Sequence, residues 1–235
     1  MKPISCHTQR TTGVQLALAM FAITLSLATL PTQAQTIHDS GSPGVYMPAA
    51  NSSQIRTPAQ DAPAGLVTIF SNLGPKTNAF TSGGWFVLGP NFSGGKQSVG
   101  LPFSPKLNSH VTQVQVAIQY NASGANQVNL SVYSDHAGLP GTLVGGPITI
   151  THLSNCCVCC TLTIGNFSPA VPLVGGTKYW LVADTPSSGT GSDFKGVWNW
   201  IPPSATMKVG LNHSGWTSFG ANIQEPAGGI FGTVP

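Results

Sequence analysis

Alternation of apolar and polar residues between Val111 and Gly141 constrains this chain more than any other feature. Val114, Val116, Ile118 and Tyr120 occupy one parity, and Gln113, Gln115, Ala117 and Gln119 the other. Successive side chains of a strand point to opposite faces, so the pattern predicts a strand with one buried and one wet face. Val128, Leu130 and Val132 against Asn129, Ser131 and Tyr133 repeat it. Asn121 to Asn126, rich in Gly, Ser and Asn, reads as the turn joining the two in an antiparallel hairpin. A second turn-rich stretch follows at Ser134-Asp135-His136-Ala137-Gly138-Leu139-Pro140-Gly141.

Further short strands are predicted at 66–70, 85–88, 97–103, 142–151, 159–164, 178–183 and 197–201, with fainter patterning at 206–211, 216–219 and 230–234. Pro102 predicts an edge position for its strand, because proline has no N–H for the ladder. No segment keeps a helical period. Nine or ten short strands at turn-marked intervals predict an all-β fold, an antiparallel β-sandwich of jelly-roll type.

The first 34 residues read as an address. Lys2 and Arg10 precede an apolar run at 14–30, and Thr32-Gln33-Ala34 offers small residues for cleavage after Ala34. The apolar run is about 17 residues, at the lower edge for spanning a bilayer, so the expectation is a removed signal peptide (1–34) rather than a stable membrane anchor. The mature protein is then secreted to the exterior or the periplasm. Residues 35–64, with Pro43, Pro48, Pro58 and Pro63, read as a flexible leader, and 65–235 as the β-sandwich domain.

Losing Lys2 and Arg10 leaves seven cationic residues against six acidic ones, a net charge of about +1. That argues against nucleic acid as a partner, because binding a phosphate backbone needs a basic footprint.

Once Cys6 leaves with the signal, Cys156, Cys157, Cys159 and Cys160 are the remaining cysteines. An even count in an exported chain favours disulfides. In an extended strand, residues two and three apart lie about 6.6 Å and 10 Å apart, and neighbours about 3.8 Å, so no pair closes without a bend or a strained vicinal ring. Two other readings stay open: a thiolate-bound metal such as copper or zinc, crowded for a tetrahedral site, and a redox role for a strained bridge.

Trp198 and Trp200, two apart on one predicted strand, turn both rings to the same side. Two readings follow: an aromatic ledge stacking on sugar rings, completed by Trp216, Asn212 and His213, or a cap on the core. Trp180, inside an apolar run, reads as core. Asp135 reads as a turn carboxylate accepting backbone amides near Gly138, with calcium as a second reading that would need carbonyl oxygens to complete it. The chain shows no Gly-x-Ser-x-Gly elbow, no carboxylate pair with acid and base settings and no metal-ligand spacing of histidines, so no catalytic residue is assigned.

Several short motifs together carry a resemblance: Ser71-Asn72-Leu73-Gly74-Pro75, Gly84-Trp85, Gln97-Ser98-Val99 before Pro102-Phe103, and Ser134-Asp135 before Gly138-Leu139-Pro140-Gly141. To these are added Cys159-Cys160-Thr161-Leu162, Pro172-Leu173 before Gly176-Thr177-Lys178-Tyr179-Trp180, and Trp198-Asn199. In this succession, over roughly 66–200, the chain resembles the choice-of-anchor domains of exported bacterial proteins, many of which carry PEP-CTERM sorting tails. The stretch after Glu225-Pro226 shows neither the apolar span nor the basic cluster of such a tail. The resemblance implies an exported β-sandwich of the cell envelope or exterior, and brings no established activity. The functional expectation is a non-catalytic module binding a polysaccharide or envelope glycan; the alternative is a structural, matrix-type protein acting by self-association, and less so a secreted hydrolase.

Overall fold

The computed structural model describes residues 35–37, 44–47, 62–74, 80–92, 95–121, 124–156, 161–201, 206–212 and 215–235. Residues from Gln33 onward form one compact unit. Its strands are β1 (Gln35–Ile37), β2 (Val45–Met47), β3 (Val67–Ser71), β4 (Gly84–Leu88), β5 (Ser98–Phe103), β6 (Ser109–Val116), β7 (Ile118–Tyr120) and β8 (Gln127–His136). β9 (Leu139–Thr151), β10 (Thr163–Leu173), β11 (Tyr179–Asp184), β12 (Lys195–Asn199), β13 (Thr206–Asn212), β14 (Trp216–Gln224) and β15 (Gly228–Thr233) complete the set. The fold is all-β, as the alternation predicts, and every strand pairing among the described residues is antiparallel.

Three sheets build it, in the orders β10-β6-β15-β3, β14-β13-β5-β11-β8-β9 and β1-β2-β4-β12-β7. The first two face each other. Val114 and Val116 from β6, Phe167 and Val171 from β10 and Ile230 from β15 pack into one core with Leu101, Leu130, Val132 and Leu181. Leu181 lies in register between Leu101 and Val132. The third sheet adds Trp85, Val87, Ile118 and Trp198 to the same core.

The expected hairpin between the two alternating segments does not form. Both strands exist, but β6 pairs with β10 and β15 and β7 with β12, while β8 pairs with β11 and β9. Their apolar sets meet across the core from opposite layers, so the chain arches from one sheet to another between β7 and β8 instead of closing a hairpin. Side chains hold that arch: Asn126 donates to Leu153 O at 2.8 Å and accepts from Leu153 N–H at 2.9 Å, and Ala125 N–H donates to Asp193 Oδ1 at 2.9 Å. The tight hairpin is β8–β9, turning through Ala137 and Gly138, both at positive φ.

The leader contributes structure as well. β1 and β2 extend the five-stranded sheet, with Val45 opposite Trp85. Local composition misses this because the anchor is distant: Gln97 Oε1 accepts from Gly44 N–H at 2.8 Å, and Gln97 Nε2 donates to Gly44 O and Phe86 O.

Pro102 lies in a strand with partners on both sides, β11 and β13, but β13 reaches only Ser98 to Gly100. At Pro102 the strand therefore has a single neighbour, Trp180, and the missing N–H leaves no gap in a ladder. β10 runs on through Pro169 and Pro172, accommodated by a register shift between Asn166 and Val171.

Candidate functional site

The parity argument for the two tryptophans holds; the face they share is the core. Trp198 has no exposed surface, and its Nε1 donates to Ala227 O at 2.9 Å. Trp200 is half-buried against the same core, its ring 5.9 Å from Trp85 at an interplanar angle of 72°. This corrects the sugar-ledge expectation at Trp198, since a ring with no exposed face cannot stack on a ligand. Trp85 Nε1 donates to Gln224 O at 2.9 Å, so Trp85 and Trp198 together pin the backbone between β14 and β15.

The other residues expected at the ledge are Trp216, Asn212 and His213. Trp216 is half-buried at the start of β14, and Asn212 lies opposite it in register on β13. His213 lies outside the described residues. So do Cys157, Cys159 and Cys160. Cys156, partly buried, follows the isolated Tyr120–Asn155 bridge, donates its backbone N–H to Tyr120 O and packs beside Phe86, Leu88 and Val197.

Asp135 has the role the turn chemistry predicts. Its Oδ2 accepts from Gly138 N–H at 3.0 Å. Its Oδ1 accepts from Trp180 Nε1 at 2.8 Å and lies 3.5 Å from Lys178 Nζ, which also sits 4.9 Å above the Trp180 ring. Burial pulls the carboxyl up, but the Trp180 and Gly138 hydrogen bonds and the Lys178 ammonium outweigh it and hold its pKa below the ordinary 3.8. Both oxygens thus face N–H donors, a setting that suits an anion better than a cation ligand. Asp184 is used in the same way, accepting from Ser98 Oγ and Thr185 N–H, both at 2.7 Å, and from Lys96 Nζ at 2.9 Å. Among the described residues no three His, Cys, Asp or Glu side chains converge as metal ligands.

Two features escape the sequence reading. The first is a groove of about 520 Å³ beside β3, lined by Val67, Ile69, Phe70, Pro105, Leu107 and Val234, with Lys106 among them. Leu107 is 61 % exposed and Val67 44 %. β3 is a sheet edge, as are β1, β7, β9, β10 and β14. β10 carries Pro169 and Pro172, β9 carries Pro140 and Pro147, and β14 approaches β9 at the opposite border of its sheet. β3, Val67-Thr68-Ile69-Phe70-Ser71, has neither proline nor charge, the usual devices that blunt an edge.

The second is Glu225, 1 % exposed between β14 and β15. Asn72 Nδ2 donates to its Oε2 at 2.9 Å, while its Oε1 is buried without a partner. Burial raises its pKa above the ordinary 4.5, and the Asn72 hydrogen bond only partly opposes that. A glutamate bordered by Pro226-Ala227-Gly228-Gly229-Ile230 was the sequence signal, since a lone acid in an apolar run must be neutralised or solvated.

No protein-family model matches the chain, and no curated protein matches it.

Proposed function

We propose that this protein is an exported, non-catalytic β-sandwich that works by self-association, with two copies pairing antiparallel through their β3 edges. The observation that carries this reading is the unblunted β3 edge beside an apolar groove. An unpaired strand presents a row of N–H and C=O groups that only another extended strand satisfies along its length, and a two-fold axis lets an identical strand do so. A second copy fits because a net charge of about +1 on the mature chain supplies little repulsion between molecules.

Export rests on the basic start, apolar run and small-residue cleavage point at 1–34. The choice-of-anchor resemblance belongs to the same proposal, as does disulfide pairing among Cys156, Cys157, Cys159 and Cys160.

Light scattering on the size-fractionated mature chain tests the function. The wild type is expected as a dimer or larger assembly, and the V67K/L107K double variant as a monomer with an unchanged circular dichroism spectrum. Both side chains are exposed, so the fold tolerates the charge. A wild type that stays monomeric at the highest attainable concentration would overturn the reading.

A glycan-binding function keeps one foothold, the half-buried Trp216. Retardation in polysaccharide-containing gels that is lost in W216A would favour it over self-association.

A further inference from the structure

Asn72 follows β3 and ties that edge strand to the segment entering β15. Its Nδ2 donates both to Glu225 Oε2 and to Pro226 O, each at 2.9 Å, and its Oδ1 accepts from Gly228 N–H at 2.8 Å. Its backbone N–H also donates to Gly228 O at 3.1 Å. One asparagine thus holds three successive stations of the 225–228 segment. Glu225 is the chemically unstable member of this knot. It is the only glutamate in the sequence, it is almost wholly buried, and one of its two oxygens has no partner.

We propose that Glu225 is a proton-operated latch on the β3 edge: as a neutral acid it stays buried against Asn72, and on losing its proton to solvent it draws water into the knot and loosens β3 from β15. Two oxygens sharing a full charge need several donors in a site closed to water, and here Asn72 supplies one N–H. Among the described residues, the elements that pack on this segment offer no cation to compensate. From the β12 end come Asn199, whose own Oδ1 is buried without a partner, and Ile201, whose backbone N–H donates to Glu225 O at 3.0 Å. From β4 comes Trp85, through Gln224 O, and from the β3 end Asn72. None of these side chains titrates. Lys96 and Lys178 are engaged with Asp184 and Asp135, and Lys195 lies over the Phe86 ring. Burial and Asn72 are accordingly the influences that set the Glu225 pKa, and their balance favours the neutral form.

The linkage has a definite sign. A carboxyl whose folded pKa exceeds its unfolded value contributes stability that is complete below the unfolded value, about 4.5, and lost as pH rises through the folded value. Each unit of separation lowers the folding constant about tenfold over that window.

A single glutamate makes the test direct. Wild-type mature protein labelled with carboxyl-¹³C glutamate gives one side-chain resonance, which reports the Glu225 titration in the folded state. The expected midpoint lies above 4.5, and amide hydrogen exchange of β3 and residues 71–74, corrected for the intrinsic pH dependence of exchange, accelerates by up to about tenfold per unit between 4.5 and that midpoint and levels off beyond it. E225Q, which keeps the neutral shape, should exchange slowly at every pH. A midpoint at or below 4.5 would overturn the proposal, as would corrected exchange that does not change between 4.5 and the midpoint. The titration needs no variant, so the proposal is decided even if E225Q does not fold. It is also separable from dimerisation: exchange in the monomeric V67K/L107K variant reads the latch, whereas light scattering of the wild type reads the edge pairing.

Discussion

At the scale of single residues, chemically alike groups part company according to what surrounds them. Trp198 and Trp200 share a parity, yet Trp198 is fully buried with its indole N–H bonded, while the buried Trp200 Nε1 has no partner. W198A should therefore cost about 3–5 kcal/mol, the range for truncating a buried large aromatic. W200F should stay within about 1 kcal/mol, because it removes an unsatisfied donor along with some packing. Chemical denaturation of both variants checks the contrast. Asp135 and Glu225 differ in the same spirit: the former is surrounded by donors and the latter has one. D135A leaves the buried Trp180 N–H unpaired and should destabilise by about 2 kcal/mol near neutrality. Because the folded pKa of Asp135 is depressed, its contribution is present above the ordinary 3.8 and lost as pH falls through the folded value. The wild type and D135A should therefore converge in stability in acid, as thermal melts across that range would show.

At the scale of elements, close approach decides what each strand tolerates. A Cβ at Gly84 would stand 2.4 Å from Trp198 O and 2.5 Å from Val197 Cγ1, and the first of these is backbone that cannot step aside. G84A should cost about 1–3 kcal/mol through overpacking between β4 and β12, read as a lower melting temperature. The edge strands show the complementary constraint. Prolines along β9 and β10 remove N–H groups that would otherwise recruit another chain, and β3 has no such protection. Sequence periodicity located β3, β4, β5 and β11 to within a residue or two of their ends, and ended β8 three residues early because Ser134-Asp135-His136 reads as turn. It missed the continuation of β10 because two prolines interrupt the pattern, and it missed β1 and β2 because Gln97 anchors their neighbourhood from far along the chain.

At the scale of the whole molecule, the topology sets the folding problem. β3 finds β15 across most of the chain, and β4 finds β12 across nearly half of it. Such distant pairings must close large loops before any contact rewards them, which places folding in the millisecond-to-second range typical of β-sandwiches. Stopped-flow tryptophan fluorescence on the mature protein should show this, helped by Trp85, Trp180 and Trp198 in the interior. A microsecond folding phase carrying most of the amplitude would contradict it.

By itself the sequence determined the fold class, the apolar face that each alternating strand turns to the core and the turn role of Asp135. Each of these is written locally, in a period of two or in a carboxylate three residues before a glycine. The face expected to be wet is largely covered as well, with Gln115, Ala117, Gln119 and Ser131 buried. Long-range packing alone settles which strands pair, on which side of the Trp198 and Trp200 face the water lies, and which strands border each sheet. The physical reason is that alternation names two faces without saying which neighbour covers either one. The charge state of Glu225 belongs to the same class, because a carboxyl ionises according to the donors that distant segments bring to it.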